Sequence, residues 1–249
     1  MSVGTPDAQR EAETSERGTI GGALSLDAAA LGRVGVEAYP GAGFVASRIA
    51  ALRPRICPFD AVIVRTRALA NELGRPLRVL DVGCGIGSLL ALLHADGLVE
   101  RGVGFDVSPD AIAEANTMTA RTKAPLAFHA LGAEGEWPAA EETFDLVTMV
   151  DVMHHLPTAI REESVVRACD RAGVAFLYKD MARTPLWMRA MNRLHDLVMA
   201  REWIDEEAIE QVEWWAHERG MRVAHAEDIH RLWYAHELRV FKRTELVDA

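Results

Sequence analysis

The sequence predicts a doubly wound α/β protein. It should have a mainly parallel seven-stranded sheet with a C-terminal antiparallel strand, plus N-terminal helices and a helical insertion after strand five. Three observations carry this expectation. Short apolar runs alternate with helical patterns from residue 77 to 242, an order that builds a parallel sheet covered on both faces. The first run ends in Asp81-Val82-Gly83-Cys84-Gly85-Ile86-Gly87 and resumes as the helical Ser88-Leu89-Leu90-Ala91-Leu92-Leu93, a strand, a glycine turn and a helix. The last two runs, 222–228 and 234–242, are joined by a link too short for a crossover, so they must pair antiparallel.

Length and composition bound the rest. A chain of 249 residues with 49% hydrophobic residues suits one large domain with a substantial core. A formal net charge of −10 argues against nucleic acid or an anionic membrane as the main partner. Cys57, Cys84 and Cys169 form no C-x-x-C pair, which favours a reducing, cytoplasmic setting. No apolar stretch approaches the roughly 20 residues that span a bilayer, and residues 1–17 lack the apolar centre of a signal peptide.

In chain order, residues 1–25 lack apolar periodicity and read as a flexible N-terminal arm. Residues 26–249 are expected as a single domain, with a helical cap at 44–74, a core at 77–242 and a lid insertion at 181–203. Residues 45–52 look helical until Arg53-Pro54-Arg55, since proline disfavours helix in the residue before it. Pro58 suits the first turn of a second helix that Gly74 and Pro76 end. Strands are expected at 78–82, 102–107, 126–129, 144–150 and 173–178. Ser108 and Pro109 open a helix to about residue 118; further helices are expected at 157–169, 185–202 and 205–218.

The glycine turn carries the chemistry. Glycine lets backbone come close to a ligand, and the helix behind it offers free N–H groups. A dinucleotide fingerprint would read G-x-G-x-x-G/A; here Ser88 stands at its third glycine. Asp81, just before the first glycine, suits a ligand with a positive amine. The pattern resembles motif I of the class I S-adenosylmethionine-dependent methyltransferases, acid-x-Gly-x-Gly-x-Gly, and matches it at every specified position. The resemblance extends in order over residues 77–242. It implies a Rossmann-like fold, S-adenosylmethionine as cofactor with S-adenosylhomocysteine as product, and N-terminal helices covering the site. Asp81, Gly83, Gly85 and Gly87 then bind the cofactor, with the adjoining Cys84, Val107 and Val150 counted in the same site. Asp106 ends strand two about 20 residues beyond the first glycine, where a carboxylate accepts ribose hydroxyls. Similar methyltransferases often read Gly-Asp-Ala-Glu after strand three. This chain has Gly132-Ala133-Glu134, so either Glu134 takes over the adenine contact or backbone and packing hold the ring.

Asp151-Val152-Met153-His154-His155-Leu156 leaves strand four, at the sheet edge where ligands bind in doubly wound folds. A neutral imidazole there can take a proton from a hydroxyl. The segment resembles small-molecule O-methyltransferases of bacterial natural-product pathways, in which a histidine of the pair acts with an aspartate after strand five, here Asp180. Asp151, three and four residues before the histidines, is expected to reach either across one helical turn. In the 185–202 segment, Trp187, Met191, Leu194 and Val198 share one face. That surface would line a pocket, act as a lid or form a homodimer contact, while core packing alone accounts for Leu194 and Val198. Asp151, Trp187, Met191, His195 and Tyr234 are the expected substrate contacts. No H-E-x-x-H spacing occurs, so no metal is expected, although His154, His155, Asp180 and His195 would be the cluster to gather one. The expected activity is methyl transfer to a small hydrophobic or aromatic hydroxyl in secondary metabolism. C-methylation of an acidic carbon, or a non-catalytic cofactor-binding partner protein, is the alternative; Ser88 and Asp81 disfavour an NAD-linked oxidoreductase.

Overall fold

The structure is a computed structural model that describes residues 19–38, 54–132, 134–139, 142–185, 187–188, 206–232 and 234–244. The expected helix 45–52, most of the 185–202 helix, Ala133, Met191 and His195 lie outside these residues.

Helix α1 spans Ala28–Ala38 and α2 spans Phe59–Leu73. Strand β1, Leu77–Val82, leads through the glycine turn into α3, Ser88–Ala95. Then come β2, Val99–Asp106; α4, Pro109–Thr122; β3, Leu126–Ala130; and β4, Phe144–Val150. A single 3₁₀ turn, Met153–His155, precedes α5, Thr158–Arg171. Strand β5, Ala172–Met181, helix α6, Ile209–Glu218, and strands β6, Met221–Arg231, and β7, Tyr234–Arg243, follow. The local chemistry is as the residues dictate. Gly74 caps α2 in the left-handed conformation. The Ser108 hydroxyl accepts the Ala111 N–H at 3.2 Å with Pro109 behind it.

The seven strands form one sheet in the order β3-β2-β1-β4-β5-β7-β6. All pairs from β3 to β5 are parallel, and β7 runs antiparallel to both β5 and β6. The chain enters at β1, builds outward to β3, then crosses back to β4. The crevice of a doubly wound sheet opens where that order reverses, at the C-terminal ends of β1 and β4. Strand side chains alternate between two cores. Val79, Leu146 and Leu177 pack with α2 and α3, while Leu80, Val147 and Phe176 pack with α5 and α6.

Residues 19–25, expected within the arm, are instead fastened to the domain. Gly22 and Leu24 donate backbone N–H to Asp96 Oδ1 at 3.1 and 2.8 Å, and Ile20 donates to Asn71 Oδ1 at 2.8 Å. The α1 helix beyond them was not legible as a periodic run. Asp27 starts it by accepting the Ala30 N–H at 2.8 Å, and it buries Leu31. Burial alone would raise the Asp96 carboxyl, but the Arg67 guanidinium at 2.7 Å and the two backbone donors override it and hold it below the ordinary carboxylate value. A depressed folded pKa contributes stability that is full above the unfolded value of about 3.9 and is lost as pH falls through the folded one. Asp96→Asn keeps the shape without that proton. Its melting temperature should therefore fall less steeply than wild type below about pH 4, which calorimetry across acid pH measures.

Candidate active site

The three glycines of the turn serve different ends. A Cβ on Gly83 would meet Val152 at 2.5 Å, and one on Gly87 would meet Phe128 at 2.6 Å. These two let the turn pack against the loop after β4 and against β3. A Cβ on Gly85 would meet no described atom within 4 Å, so its bare backbone faces open space. Its φ of +54° also disfavours any side chain.

The acids around the turn are anchored. Asp106 accepts the Gly85 N–H at 2.9 Å and the Ser108 N–H at 2.9 Å, tying the glycine turn to the end of β2. Asp81 is 2% exposed and accepts the Thr148 hydroxyl at 2.6 Å from the adjoining strand. Burial, reinforced by the negative charge of Asp81 and Asp106, pushes the Cys84 thiol far up, so it stays protonated under the turn.

A cavity of about 420 Å³ opens at the C-terminal ends of β1, β2 and β4, lined among others by Gly83, Asp106, Val107, Leu131, Asp151 and His155. Its size is that of a small-molecule or cofactor pocket. Val107 is 76% exposed at its wall, an apolar surface suited to cover a flat ring. Val150 is buried at the end of β4. Glu134 is exposed and folds back over Gly132, outside the residues that line the cavity. The chain thus presents anchored acids, an open glycine and apolar walls, a donor set that fits an amine-bearing adenosine ligand such as S-adenosylmethionine.

At the cavity wall, Asp151 adopts φ +57°, and the 3₁₀ turn that follows buries His154 and leaves His155 exposed. His154 is buried, and its Nδ1 pairs with Asp180 Oδ1 from the end of β5. The backbone N–H of His154 reaches Asp180 Oδ2 at 3.3 Å, and that of Met181 reaches Oδ1 at 2.6 Å. Burial would raise Asp180, but the adjacent His154 overrides it and holds the carboxyl below its ordinary value. A carboxylate at Nδ1 sets the tautomer that leaves Nε2 as the basic nitrogen. His155 is exposed, lines the cavity and lies 4.1 Å from the His154 ring, centroid to centroid.

The expected contact from Asp151 to the histidines gives way to another. Its Oδ1 lies 2.5 Å from Lys179 Nζ, and its Oδ2 accepts the Cys57 thiol at 3.1 Å. Burial would raise the carboxyl, but Lys179 holds it far below its ordinary value. The left-handed backbone at 151 and the 3₁₀ turn remove the helical spacing on which the expectation rested. Of the remaining expected substrate contacts, Trp187 is 58% exposed, and its neighbour Met188 packs with Ala182 and Ala235. Tyr234 is buried and stacks near-parallel on His236 at 6.0 Å. Thr148, Lys179, Cys57 and Leu131 were not singled out by sequence as site residues. Only Lys179 carried a signal, because strand alternation puts it on the face opposite Asp180.

The fold with this site at its parallel edge is that of the methyltransferases. The magnesium protoporphyrin IX methyltransferase of Synechocystis PCC 6803, solved with S-adenosylhomocysteine, superposes with a TM-score of 0.63 over 84% of this chain and 92% of that one, at 18% identity. The 1,6-didemethyltoxoflavin-N1-methyltransferase of Burkholderia thailandensis superposes with a TM-score of 0.55 over 98% of this chain and 92% of that one, at 16% identity. At such identity the likeness is one of fold. The sequence profile of a methyltransferase domain matches residues 53–240. The chain belongs to that methyltransferase family, as its motif I implied. It is also 30% identical over 160 residues to the ubiquinone biosynthesis O-methyltransferase of Sodalis glossinidius, a match covering 55% of this chain and 62% of that relative's length.

The open glycine makes a direct test. Gly85→Val should abolish measurable S-adenosylmethionine binding in calorimetry by filling the space a ligand needs, while far-ultraviolet circular dichroism still reports the folded sheet. Wild-type affinity in a folded variant overturns the placement.

Proposed function

We propose that this chain transfers the methyl group of S-adenosylmethionine to a hydroxyl oxygen of a small, apolar, aromatic acceptor. One observation supports the reading: the buried His154, paired with Asp180, is carried on the loop whose Val152, His155 and Leu156 line the cavity together with Gly83 and Asp106. The cofactor supplies an electrophilic methyl carried on a sulfonium. Asp106 would accept the ribose hydroxyls, Asp81 would balance the amino group, and Gly85 would give the ligand its closest backbone approach. Asp180 holds His154 so that Nε2 accepts the hydroxyl proton as the oxygen becomes nucleophilic. Val107, Leu131 and Leu156 keep the cavity wall apolar, and positioning together with exclusion of water supplies much of the acceleration.

The choice of oxygen is supported by the Sodalis relative, whose name is that of an O-methyltransferase of ubiquinone biosynthesis. The setting we assign is small-molecule biosynthesis in the cytoplasm, secondary metabolism included. No helix among the described residues is long and apolar enough to cross a membrane.

Titration calorimetry with S-adenosylmethionine, S-adenosylhomocysteine and NAD is the first test. Turnover with alkylated phenols, followed by mass spectrometry as the gain of one methyl group on the acceptor, is the second. Binding of NAD alone overturns the cofactor assignment. Cofactor binding with methyl gained on carbon overturns the oxygen assignment, and binding without turnover supports a partner protein instead.

A further inference from the structure

One half-buried acid behind the site is left unused by the chemistry above. Glu237, on β7, lies directly opposite Asp180 on β5 and directly opposite Asp228 on β6. Residues facing each other across antiparallel strands carry their side chains on the same face of the sheet. Asp180, Glu237 and Asp228 therefore form one row of carboxyl groups across β5, β7 and β6. The row begins at the residue that holds His154. Strand alternation turns the neighbouring Lys179 and His236 to the other face.

Like charges facing each other across strands are unfavourable, and the nearest cations are engaged elsewhere. On β7, Arg239 donates to Glu213 of α6 at 2.8 Å and to Asp228 at 3.1 Å. On α5, Arg161 donates to Glu207 at 3.2 Å. Helix α6 brings a further negative charge, Glu210, within reach of Glu237. Tyr178 of β5 is buried, and burial together with Asp180 and Glu237 pushes its phenol well up, so it stays neutral. Burial, opposed by Arg239 and reinforced by Asp228, Glu210 and Asp180, brings the Glu237 carboxyl up to about 7. Its charge thus changes in the range where an imidazole changes its own.

The path from this acid to the reacting nitrogen is short. Asp180 pairs with His154 Nδ1 and accepts its backbone N–H. A negative charge one strand beyond Asp180 favours a positive charge on His154 and so raises the proton affinity of Nε2.

We propose that Glu237 is a positioning residue that acts on His154 through Asp180: its carboxylate sets the proton affinity of Nε2 and the pH range in which His154 serves as base. This rests on the proposed reading of His154 as the base of a phenol methyltransferase. Ionised Glu237 strengthens that base, and protonated Glu237 weakens it. Each proton taken up disfavours the other, so the wild-type rate should fall with pH over a wider range than one titrating group gives.

The experiment follows two quantities across pH in the full chain. One is the His154 titration, read by histidine NMR in protein loaded with S-adenosylhomocysteine and assigned by the signal missing from His154→Ala. The other is the single-turnover rate with a weakly acidic phenol. Glu237→Gln keeps the shape and removes the charge. It should lower both midpoints by about half a unit to one unit, roughly a three- to tenfold loss of proton affinity, and narrow the rate profile to a single titration. Glu237→Asp keeps a charge in the row and should return most of the shift. Asp228→Asn, one strand further from His154, should move the midpoints less. A merely structural role predicts a different pattern. An ionised acid whose folded pKa is raised loses stability as pH rises through that range, so Glu237→Gln should melt no lower than wild type at about pH 8. An unmoved His154 titration in folded Glu237→Gln overturns this role and leaves the methyltransferase reading standing. A shifted titration in protein that holds S-adenosylhomocysteine but methylates no phenol overturns that reading, and the part of Glu237 in catalysis with it.

Discussion

His154→Ala should lower single-turnover methyl transfer by about 10²- to 10⁴-fold, the usual worth of a general base, while calorimetric affinity for S-adenosylmethionine stays at the wild-type value. The separation follows from the site. His154 is buried against Asp180, whereas the residues proposed to hold the cofactor are Asp81, Gly85 and Asp106. Asp180→Asn should lose activity in the same direction, because an amide offers a donor as readily as an acceptor to Nδ1 and no longer fixes the productive tautomer. His155→Ala should differ in kind: its ring lines the cavity, so it should weaken ligand binding more than the chemical step. The wild-type rate should also fall as pH drops, since an imidazolium cannot accept the proton. Single-turnover rates across pH with a weakly acidic phenol make the measurement. Wild-type rates in folded His154→Ala and Asp180→Asn would leave proximity as the whole of the catalysis.

The largest effect on stability is expected at Lys179. Its ammonium is fully buried and 2.5 Å from Asp151 Oδ1. Burial would lower the lysine, but the Asp151 carboxylate overrides it and keeps the group above its ordinary value, charged. Lys179→Met fills the space and removes the charge, leaving the Asp151 carboxylate beside the Cys57 thiol in place of an ammonium. Breaking a buried pair from one side costs about 3–5 kcal/mol. In a chain of this size that lowers the melting temperature by roughly 6–20 °C. Lys179→Met combined with Asp151→Asn should recover much of the loss, because the penalty belongs to the orphaned charge and not to the missing bond. A double variant no more stable than the single one would show that the pair stabilises beyond the cost of burying it.

Local sequence carried the part of the site that local backbone builds. The glycine turn, the acid ending β2 and the capped start of α4 each lie within a few residues, and each forms where the local sequence puts it. The His154–Asp180 pair was also legible, because His154 follows the end of β4, Asp180 closes the adjacent parallel β5, and the topology alone brings such ends together. Asp151 was misjudged for a specific reason. Pairing it with the histidines assumed a helix after β4, and a left-handed residue followed by a 3₁₀ turn sends its carboxylate toward β5 instead. The alternation of β5 already separated Lys179 from Asp180, but only the fold shows which acid lies on the lysine's side. Cys57 and His236 had no local signal at all. They sit near the two ends of the domain, and their partners Asp151 and Ile56 lie 94 and 180 residues away in sequence. The docking of residues 20–24 escaped for the same reason: its anchors, Asn71 and Asp96, lie 51 to 74 residues on.

The sheet order has a consequence for how the molecule is made. Strand β7 slots between β5 and β6, so β5, which carries Lys179 and Asp180, gains its second neighbour only from residues 234–243. During synthesis the chain emerges N-terminus first. The parallel strands β1 to β5 are complete while the flank of β5 is still an open edge, with unpaired backbone groups of the kind that recruit other strands. A nascent or truncated chain ending before residue 234 should therefore hold the glycine turn but not the finished edge beside His154. It should also be prone to association through β5. The last hairpin acts as the closing step of assembly, and the edge that carries Asp180 is completed only when that hairpin docks.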